Sequence, residues 1–144
     1  MEMKRFQMGL IMKSKISKHF KRSEFECQCG CGQDTIDYEL LVALETTHRY
    51  FDIIHGKCYI EINSGNRCKK HNATIENSSK TSKHIISKAC DFKVYYFGLD
   101  GIKKYIDTQI VYNYLIEKYP NKYGIIKHHH FIHFDVRTIP YHTT

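Results

Sequence analysis

Apolar side chains recur at two different periods along this chain, and the change of period separates predicted helices from predicted strands. A spacing of three and four, typical of an amphipathic helix, runs from residue 34 or 35 to about 51 and again from about 102 to 118. Alternation of apolar and polar residues, typical of a half-buried strand, is found at 57–63, 89–96, 122–127 and 131–137. This order of elements predicts an α+β domain.

Turn-forming residues separate these elements. Gly56 ends the connection that follows the first helical stretch, residues 64–67 form a turn directly after the first strand, and residues 68–72 are expected to form one helical turn. The polar stretch 73–83 is a predicted loop, and the tail after Pro140 is expected to be frayed. No repeat and no boundary divides the chain, so residues 1–144 are predicted to form a single domain.

Within each of two predicted strands, the apolar and the polar side chains fall on opposite faces. Alternate residues of a strand share a face, so one face of each strand is apolar and should lie on the core. The apolar sets are Cys90, Phe92 and Val94 in one strand and Ile132, Phe134 and Val136 in the other. Asp91, His133 and Asp135 then fall on the polar faces of these strands.

Composition narrows the class of protein. Of 144 residues, 42% are hydrophobic and 13% aromatic, which excludes an intrinsically disordered chain. The net charge of +7 favours anionic surfaces. However, the lysines are scattered, no block of five like charges occurs, and no aromatic–basic platform is evident. We therefore expect no nucleic-acid partner.

Hydropathy gives two further expectations. No run of eighteen apolar residues occurs, so no membrane span is predicted. Residues 1–12 have a basic start and only a few apolar residues, Lys13 and Lys15 follow them, and no small-residue cleavage site comes next, so they do not resemble a signal peptide. Synthesis in the cytoplasm follows as the expectation, with six cysteines present as reduced thiols.

Three of these cysteines, Cys27, Cys29 and Cys31, alternate with other residues, including Gly30, in a segment that predicts a tight loop. A small structural zinc site is one interpretation of this run. Structural zinc usually has four ligands and Cys-x-x-Cys pairs, and the run offers neither. Free thiols are therefore the prediction here.

Two histidines and an aspartate offer a different kind of metal site. If the strands at 89–96 and 131–137 are neighbours, His84, Asp91 and His133 can converge on one ion. Two imidazoles and one carboxylate suit Zn²⁺, and three protein ligands leave a fourth position open for water, as in catalytic zinc sites. Such a site also needs a general base and a cation for the developing oxyanion, for which His130 and Arg67 are the candidates.

These residues also resemble a known family. The patterns Ser-x-His-x-x-x-x-Ala-x-Asp at residues 82–91 and His-Phe-Asp-Val-Arg at 133–137 are similar to those of the zinc D-Ala-D-Ala carboxypeptidases, in the compact branch often found in bacteriophages. The segment Ser-Gly-Asn-Arg-Cys at 64–68, followed by His71 and Asn72, matches the signature of that branch. The resemblance covers about residues 16–138.

The resemblance implies a role for each matching residue. His84, Asp91 and His133 correspond to the ligands of one zinc ion, and Arg67 corresponds to the arginine that binds the substrate carbonyl or carboxylate. Ser82 and Asp135 stand where supporting groups orient the ligands, and Ser82 lies where it can contact substrate. The implied fold is a small α+β domain in which an antiparallel sheet, flanked by helices, carries the zinc site.

The chain departs from the family pattern at three places. Ser87 replaces a glycine three residues after the first ligand, and residues 76–78 replace a glycine pair. His130 stands where better-studied members have an acidic base. A neutral histidine can accept a proton, so the base is predicted to be His130, with Asp135 as the alternative.

The resulting prediction is a monomeric zinc peptidase that hydrolyses amide bonds in peptidoglycan stem peptides, as a carboxypeptidase or as an endolysin-type endopeptidase acting at the cell wall. The departures at Ser87 and His130 support an alternative from another class. In that case the chain is a non-catalytic zinc domain that binds the wall or a protein partner, as hedgehog-type relatives do.

Overall fold

The computed structural model describes residues 15–75, 78–79 and 81–144. The expectation for the N-terminal residues 1–12 and the departures at Glu76 and Asn77 lie outside this part of the chain.

Within the described residues, three α-helices and one short 3-10 turn flank the sheet. They are the 3-10 turn Arg22–Phe25, α1 (Tyr38–His55), α2 (Lys69–Asn72) and α3 (Thr108–Lys118). Helix α1 begins later than predicted because Asp37 is its N-cap, with a carboxylate that accepts from the backbone N–H groups of Glu39 and Leu40. It also continues past the predicted end, up to Gly56, whose φ of 93° favours glycine.

In the part of the chain that the structure describes, six strands form one mixed sheet, and the four that surround the predicted site are antiparallel. The strands are β1 (Tyr59–Ser64), β2 (Ala89–Phe97), β3 (Lys103–Tyr105), β4 (Gly124–Lys127), β5 (Ile132–Asp135) and β6 (Tyr141–Thr143). Their order is β1-β2-β5-β4-β6, with β3 paired to β2 and β6 parallel to β4. The predicted α+β class with helices flanking a sheet is confirmed.

Two strands were not predicted. Residues 103–105 were expected to begin a helix, but they pair with the end of β2 instead, and α3 begins only after Asp107, whose side chain accepts from the N–H of Gln109. The tail after Pro140 was expected to be frayed, and this was wrong. It pairs with β4 as β6, which gives its backbone hydrogen-bond partners.

The core lies between the helices and the apolar face of the sheet, as the strand parity predicted. Cys90, Phe92, Val94, Ile132 and Phe134 are all at most 1% exposed. They pack in one cluster with the apolar stripe of α1 and with Val111 and Leu115 of α3, among other side chains. The opposite, polar face of β2 and β5 is therefore free to carry chemistry.

Residues before the 3-10 turn are held against α1 by one carboxylate. Glu45 accepts from the Ser17 hydroxyl at 2.5 Å, from the His19 N–H at 2.8 Å, and contacts His19 Nδ1 at 2.6 Å. Burial alone raises the pKa of Glu45, but these hydrogen bonds outweigh it and hold the pKa below its ordinary value. His48 is buried beside them, with its ring stacked on His19 at 3.7 Å, as expected for a packed histidine.

Among the described helices, none combines the length and the apolar character needed to cross a membrane.

Candidate metal centre and cleft

The pairing of β2 with β5 places two predicted ligands directly opposite each other. Asp91 and His133 are partners in this antiparallel register. Directly opposite residues of neighbouring strands hold their side chains about 5 Å apart on the same face. The predicted adjacency of the two strands is therefore present, and it brings together residues that are 42 positions apart in the chain.

His84 completes the group from the turn before β2. Its Nε2 lies 3.4 Å from Asp91 Oδ1, and His133 Nδ1 lies 3.0 Å from the same oxygen. One donor atom from each of the three residues lies within 4.8 Å of the others. The three side chains are thus close enough to bind one metal ion together.

Backbone geometry fixes the tautomer of His84. Its Nδ1 lies 2.8 Å from the Gly65 carbonyl oxygen, which can only accept, so Nδ1 carries the proton and donates it. In the neutral form of the ring the lone pair is then on Nε2, the atom that faces Asp91. A hydrogen bond of this kind from the second ring nitrogen is usual for histidines that bind metals.

Ser87 occupies a strained position in the turn that joins His84 to β2. Its φ of 64° lies in the left-handed region that favours glycine, which explains why a glycine suits this position. The Ser87 hydroxyl donates to Asn66 Oδ1 at 2.5 Å and lies 2.6 Å from the Thr35 hydroxyl. These bonds offset the strain, so the departure at Ser87 leaves the geometry of the three ligands in place.

Asp135 is fully buried and supports His133. Its Oδ2 lies 2.7 Å from His133 Nε2, and Arg137 donates to both carboxylate oxygens, with Nε to Oδ1 at 2.5 Å. Gly124 on β4 makes room for this ion pair, because a Cβ there would lie 2.5 Å from the Asp135 oxygens. With both oxygens bound, Asp135 is placed to orient a ligand rather than to reach a substrate.

The pKa values of Asp91, His133 and Asp135 depend strongly on one another's charge. Burial by itself raises the pKa of Asp91, but hydrogen bonds with His133 and His84 overcome it and hold that pKa well below its usual range. Burial lowers the pKa of His133, but bonds to Asp135 and Asp91 outweigh this and raise its pKa to about 9. The pKa of Asp135 falls to about 2, since bonds from Arg137 and His133 outweigh burial.

The donor set fits a divalent cation. Two carboxylates surround His133, and this negative charge is balanced by its proton or by a metal ion. His84 Nε2, Asp91 Oδ1 and His133 Nδ1 converge, while His133 Nε2 is held by Asp135 in the carboxylate–histidine arrangement typical of zinc proteins. Two imidazoles and one carboxylate are ligands that zinc accepts.

The three residues lie in a cleft of ≈ 590 Å³, which Arg67 also lines. The Arg67 guanidinium is held by two side chains, with Nη1 donating to Asn72 Oδ1 at 3.1 Å and Nη2 to the Ser64 hydroxyl at 3.4 Å. Asn72 is itself buried and donates to the Ser79 carbonyl at 2.9 Å. Arg67 is therefore a fixed cation in the same cleft as the candidate metal ligands.

Ser82 also lines the cleft, on the loop that precedes β2. Its hydroxyl accepts from the backbone N–H of His84 at 3.3 Å. Ser82 is therefore adjacent to the ligands, and its predicted contact with substrate stays a prediction.

The predicted base His130 lies elsewhere. In the hairpin that joins β4 to β5, the N–H of His128 donates to the Phe131 carbonyl at 3.0 Å and closes the turn. This turn directs His128 to the cleft, stacked on Phe131 at 4.4 Å, whereas His130 lines a separate groove together with Lys93 and Gln109. The role of His130 as base stays a prediction that this placement does not favour. Sequence spacing did not single out His128 because the shape of a tight turn, and not strand parity, decides its direction.

Comparison with known proteins gives a match at the level of the family. Searches of the curated proteins and of the solved structures returned no match. The family model described as peptidase M15 matches residues 18–135, which include all of the candidate ligands, Arg67 and both candidate bases. The resemblance to D-Ala-D-Ala carboxypeptidase-type enzymes is thereby confirmed at the level of the family. The chain belongs to the peptidase M15 family.

Proposed function

We propose that this protein is a zinc-dependent peptidase that hydrolyses an amide bond in peptidoglycan stem peptides. The observation that carries the proposal is the convergence of His84, Asp91 and His133 in a cleft that also holds Arg67. Membership of the zinc-dependent M15 family supports it. Such a substrate places the site of action at the bacterial cell wall.

His84, Asp91 and His133 would hold the zinc ion. When bound, zinc supplies Lewis acidity for the attack of water on an amide carbonyl. Gly65 and Asp135 keep the two imidazoles in the orientation that this binding needs. The Gly65 carbonyl accepts from Nδ1 of His84, and the Asp135 carboxylate contacts Nε2 of His133. These supports reduce the reorganisation that binding would otherwise require.

Arg67 would bind the oxygen on which negative charge develops, or the terminal carboxylate of the peptide. A guanidinium donates paired hydrogen bonds to a carboxylate, and a fixed donor stabilises a developing oxyanion better than a mobile one. Asn72 and Ser64 supply that fixation. Lys83 adds a further cation to the lining of the cleft, in keeping with an anionic substrate.

His128 is the side chain best placed to move the proton. It would accept a proton from the attacking water and deliver it to the leaving amine, so that the products are a carboxylate and a free amino group. Asp135 is a weaker candidate because it is fully buried and both of its oxygens are engaged. His130 is a weaker candidate because it lines the separate groove.

Digestion of purified muropeptides by the zinc-loaded protein tests the proposal. We expect new amino groups from the wild type and a loss of at least a hundredfold in rate for His84→Ala. Mass spectrometry separates release of terminal D-Ala from cleavage of an internal bond. A protein that binds zinc through His84 and leaves every stem peptide intact would instead be the non-catalytic zinc domain.

A further inference from the structure

Four cysteines that the peptidase chemistry does not use converge on one point of the surface. Cys27, Cys29, Cys31 and Cys68 place their sulfur atoms within 4.8 Å of one another. Cys27 Sγ lies 3.4 Å from Cys29 Sγ, and Cys29 Sγ lies 3.6 Å from Cys68 Sγ. Cys68 is the fourth thiol that the Cys27–Cys31 run lacked, and it comes from a segment 39 positions further along the chain than Cys29.

We propose that these four thiols bind a structural zinc ion, separate from the site formed by His84, Asp91 and His133. A tetrahedral zinc with bonds of about 2.3 Å to each sulfur has sulfur–sulfur edges of about 3.8 Å. The two separations of 3.4 and 3.6 Å are close to this edge, and all four sulfur atoms lie within 4.8 Å of one another, whereas a disulfide requires about 2.05 Å. Four thiolates are a complete donor set for structural zinc, and binding releases the thiol protons.

The local fold is built to gather these side chains. In an extended strand, two residues four positions apart, such as Cys27 and Cys31, would lie about 13 Å apart. Here Gly30 and Gly32 have φ values of 79° and 87°, and the loop closes on itself through the Cys27 N–H, which donates to the Gln33 carbonyl at 2.7 Å. Alternate cysteines therefore face one centre instead of following an extended line.

A second glycine-dependent contact brings Cys68 to this loop. A Cβ on Gly65 would lie 2.6 Å from Phe25 Cα, so only glycine allows the two segments to approach this closely. The Asn66 N–H donates to the Phe25 carbonyl at 2.9 Å and sets their register. Cys68 then donates its backbone N–H to Cys27 Sγ at 3.4 Å.

Backbone N–H groups also donate hydrogen bonds to two of the sulfur atoms, as is usual around thiolates. Cys27 Sγ accepts from the Cys68 N–H, and Cys68 Sγ accepts from the His71 N–H at 3.3 Å. Such bonds favour the charged form of sulfur, which is the form that binds metal. The cluster therefore has both the spacing and the donors of a thiolate centre.

The position of the centre suggests what it stabilises. Cys68 directly follows Arg67, and Gly65, which orients His84, is in the same turn. A zinc ion bound by Cys68 and the Cys27–Cys31 loop would clamp this turn to the N-terminal part of the domain. The centre would thereby fix the backbone that positions Arg67 and His84, without taking part in the reaction.

Measurement of the zinc content of the full chain, purified with zinc under reducing conditions, tests this inference separately from peptidase activity. We expect two zinc ions per wild-type chain and one in His84→Ala. X-ray absorption at the zinc edge of His84→Ala should show sulfur neighbours alone, at about 2.3 Å. Cys29→Ser should lose the other ion, while the matched substitution Cys58→Ala, outside the cluster, should keep both.

The key readout is independent of the folding of any cysteine variant. His84→Ala keeps all four thiols, so its zinc content and sulfur shell are decisive. Absence of zinc from His84→Ala, or a shell of nitrogen and oxygen, would overturn the inference. So would an intact mass of the reduced-purified wild type that shows a disulfide within the cluster.

Discussion

Ser87 offers a quantitative test of how this chain accommodates a departure from the family pattern. Ser87→Ala removes the hydroxyl that bonds Asn66 at 2.5 Å and Thr35 at 2.6 Å but keeps the left-handed backbone. At about 1 kcal/mol for each net hydrogen bond, the free energy of unfolding should fall by about 2 kcal/mol.

Ser87→Gly loses the same bonds but also removes the strain. A non-glycine residue in the left-handed region costs about 1–2 kcal/mol, and the greater freedom of glycine in the unfolded chain costs about 0.5–1 kcal/mol. The glycine variant should therefore be more stable than the alanine variant by about 1 kcal/mol, and less stable than the wild type.

Urea unfolding of the three proteins, followed by circular dichroism, measures these differences as shifts of the midpoint at a common slope. The exposed Ser23→Ala is the matched control and should change stability by less than about 0.5 kcal/mol. An alanine variant as stable as the wild type, or a glycine variant less stable than the alanine variant, would refute the balance of strain and hydrogen bonding.

Three further predictions concern the proton carrier, the support of the metal ligand and the attachment of the N-terminal segment. His128→Ala should lower kcat by about 10²–10⁴-fold, with unchanged zinc content, whereas His130→Ala in the same hairpin should stay within about threefold; equal losses would contradict the assignment. Asp135→Asn should weaken zinc binding by about 10–100-fold in a chelator competition because His133 loses its orienting carboxylate, and unchanged affinity would argue against that support. The depressed pKa of Glu45 means that its contribution is complete above the pKa of an unfolded glutamate, about 4.3, and is lost as pH falls through the lower folded pKa. The free energy of unfolding should fall less steeply on acidification in Glu45→Gln than in the wild type, and parallel curves would contradict this linkage.

Strand parity predicted the centre of the site from sequence because one face of each strand had to be apolar. Phe92 and Phe134 fix which way their strands turn, and Asp91 and His133 then have to lie on the opposite face. The pairing of the two strands was an assumption in the sequence and is an observation in the structure. His84 was a candidate ligand by its chemistry alone, but it lies in a turn where no period applies, so the direction of its side chain is known only from the structure.

The missed features depend on contacts between distant segments or on the shape of a turn. Cys68 reaches the Cys27 loop only because Gly65 packs against Phe25, and no local sequence pattern predicts that these two segments come together. The strand at Lys103–Tyr105 is too short for its period to be read and is stabilised by pairing with β2. The direction of His128 follows from the hairpin turn, which strand alternation does not describe.

The most direct test of the central claim is to titrate zinc into the metal-free protein while following hydrolysis of a synthetic stem pentapeptide. Occupancy of the site formed by His84, Asp91 and His133 is the difference in bound zinc between the wild type and His84→Ala. We predict that the rate of amide cleavage rises in proportion to this occupancy, up to one ion per chain, and that His84→Ala stays inactive at every zinc concentration. Full occupancy of this site without cleavage of the peptide would contradict the account.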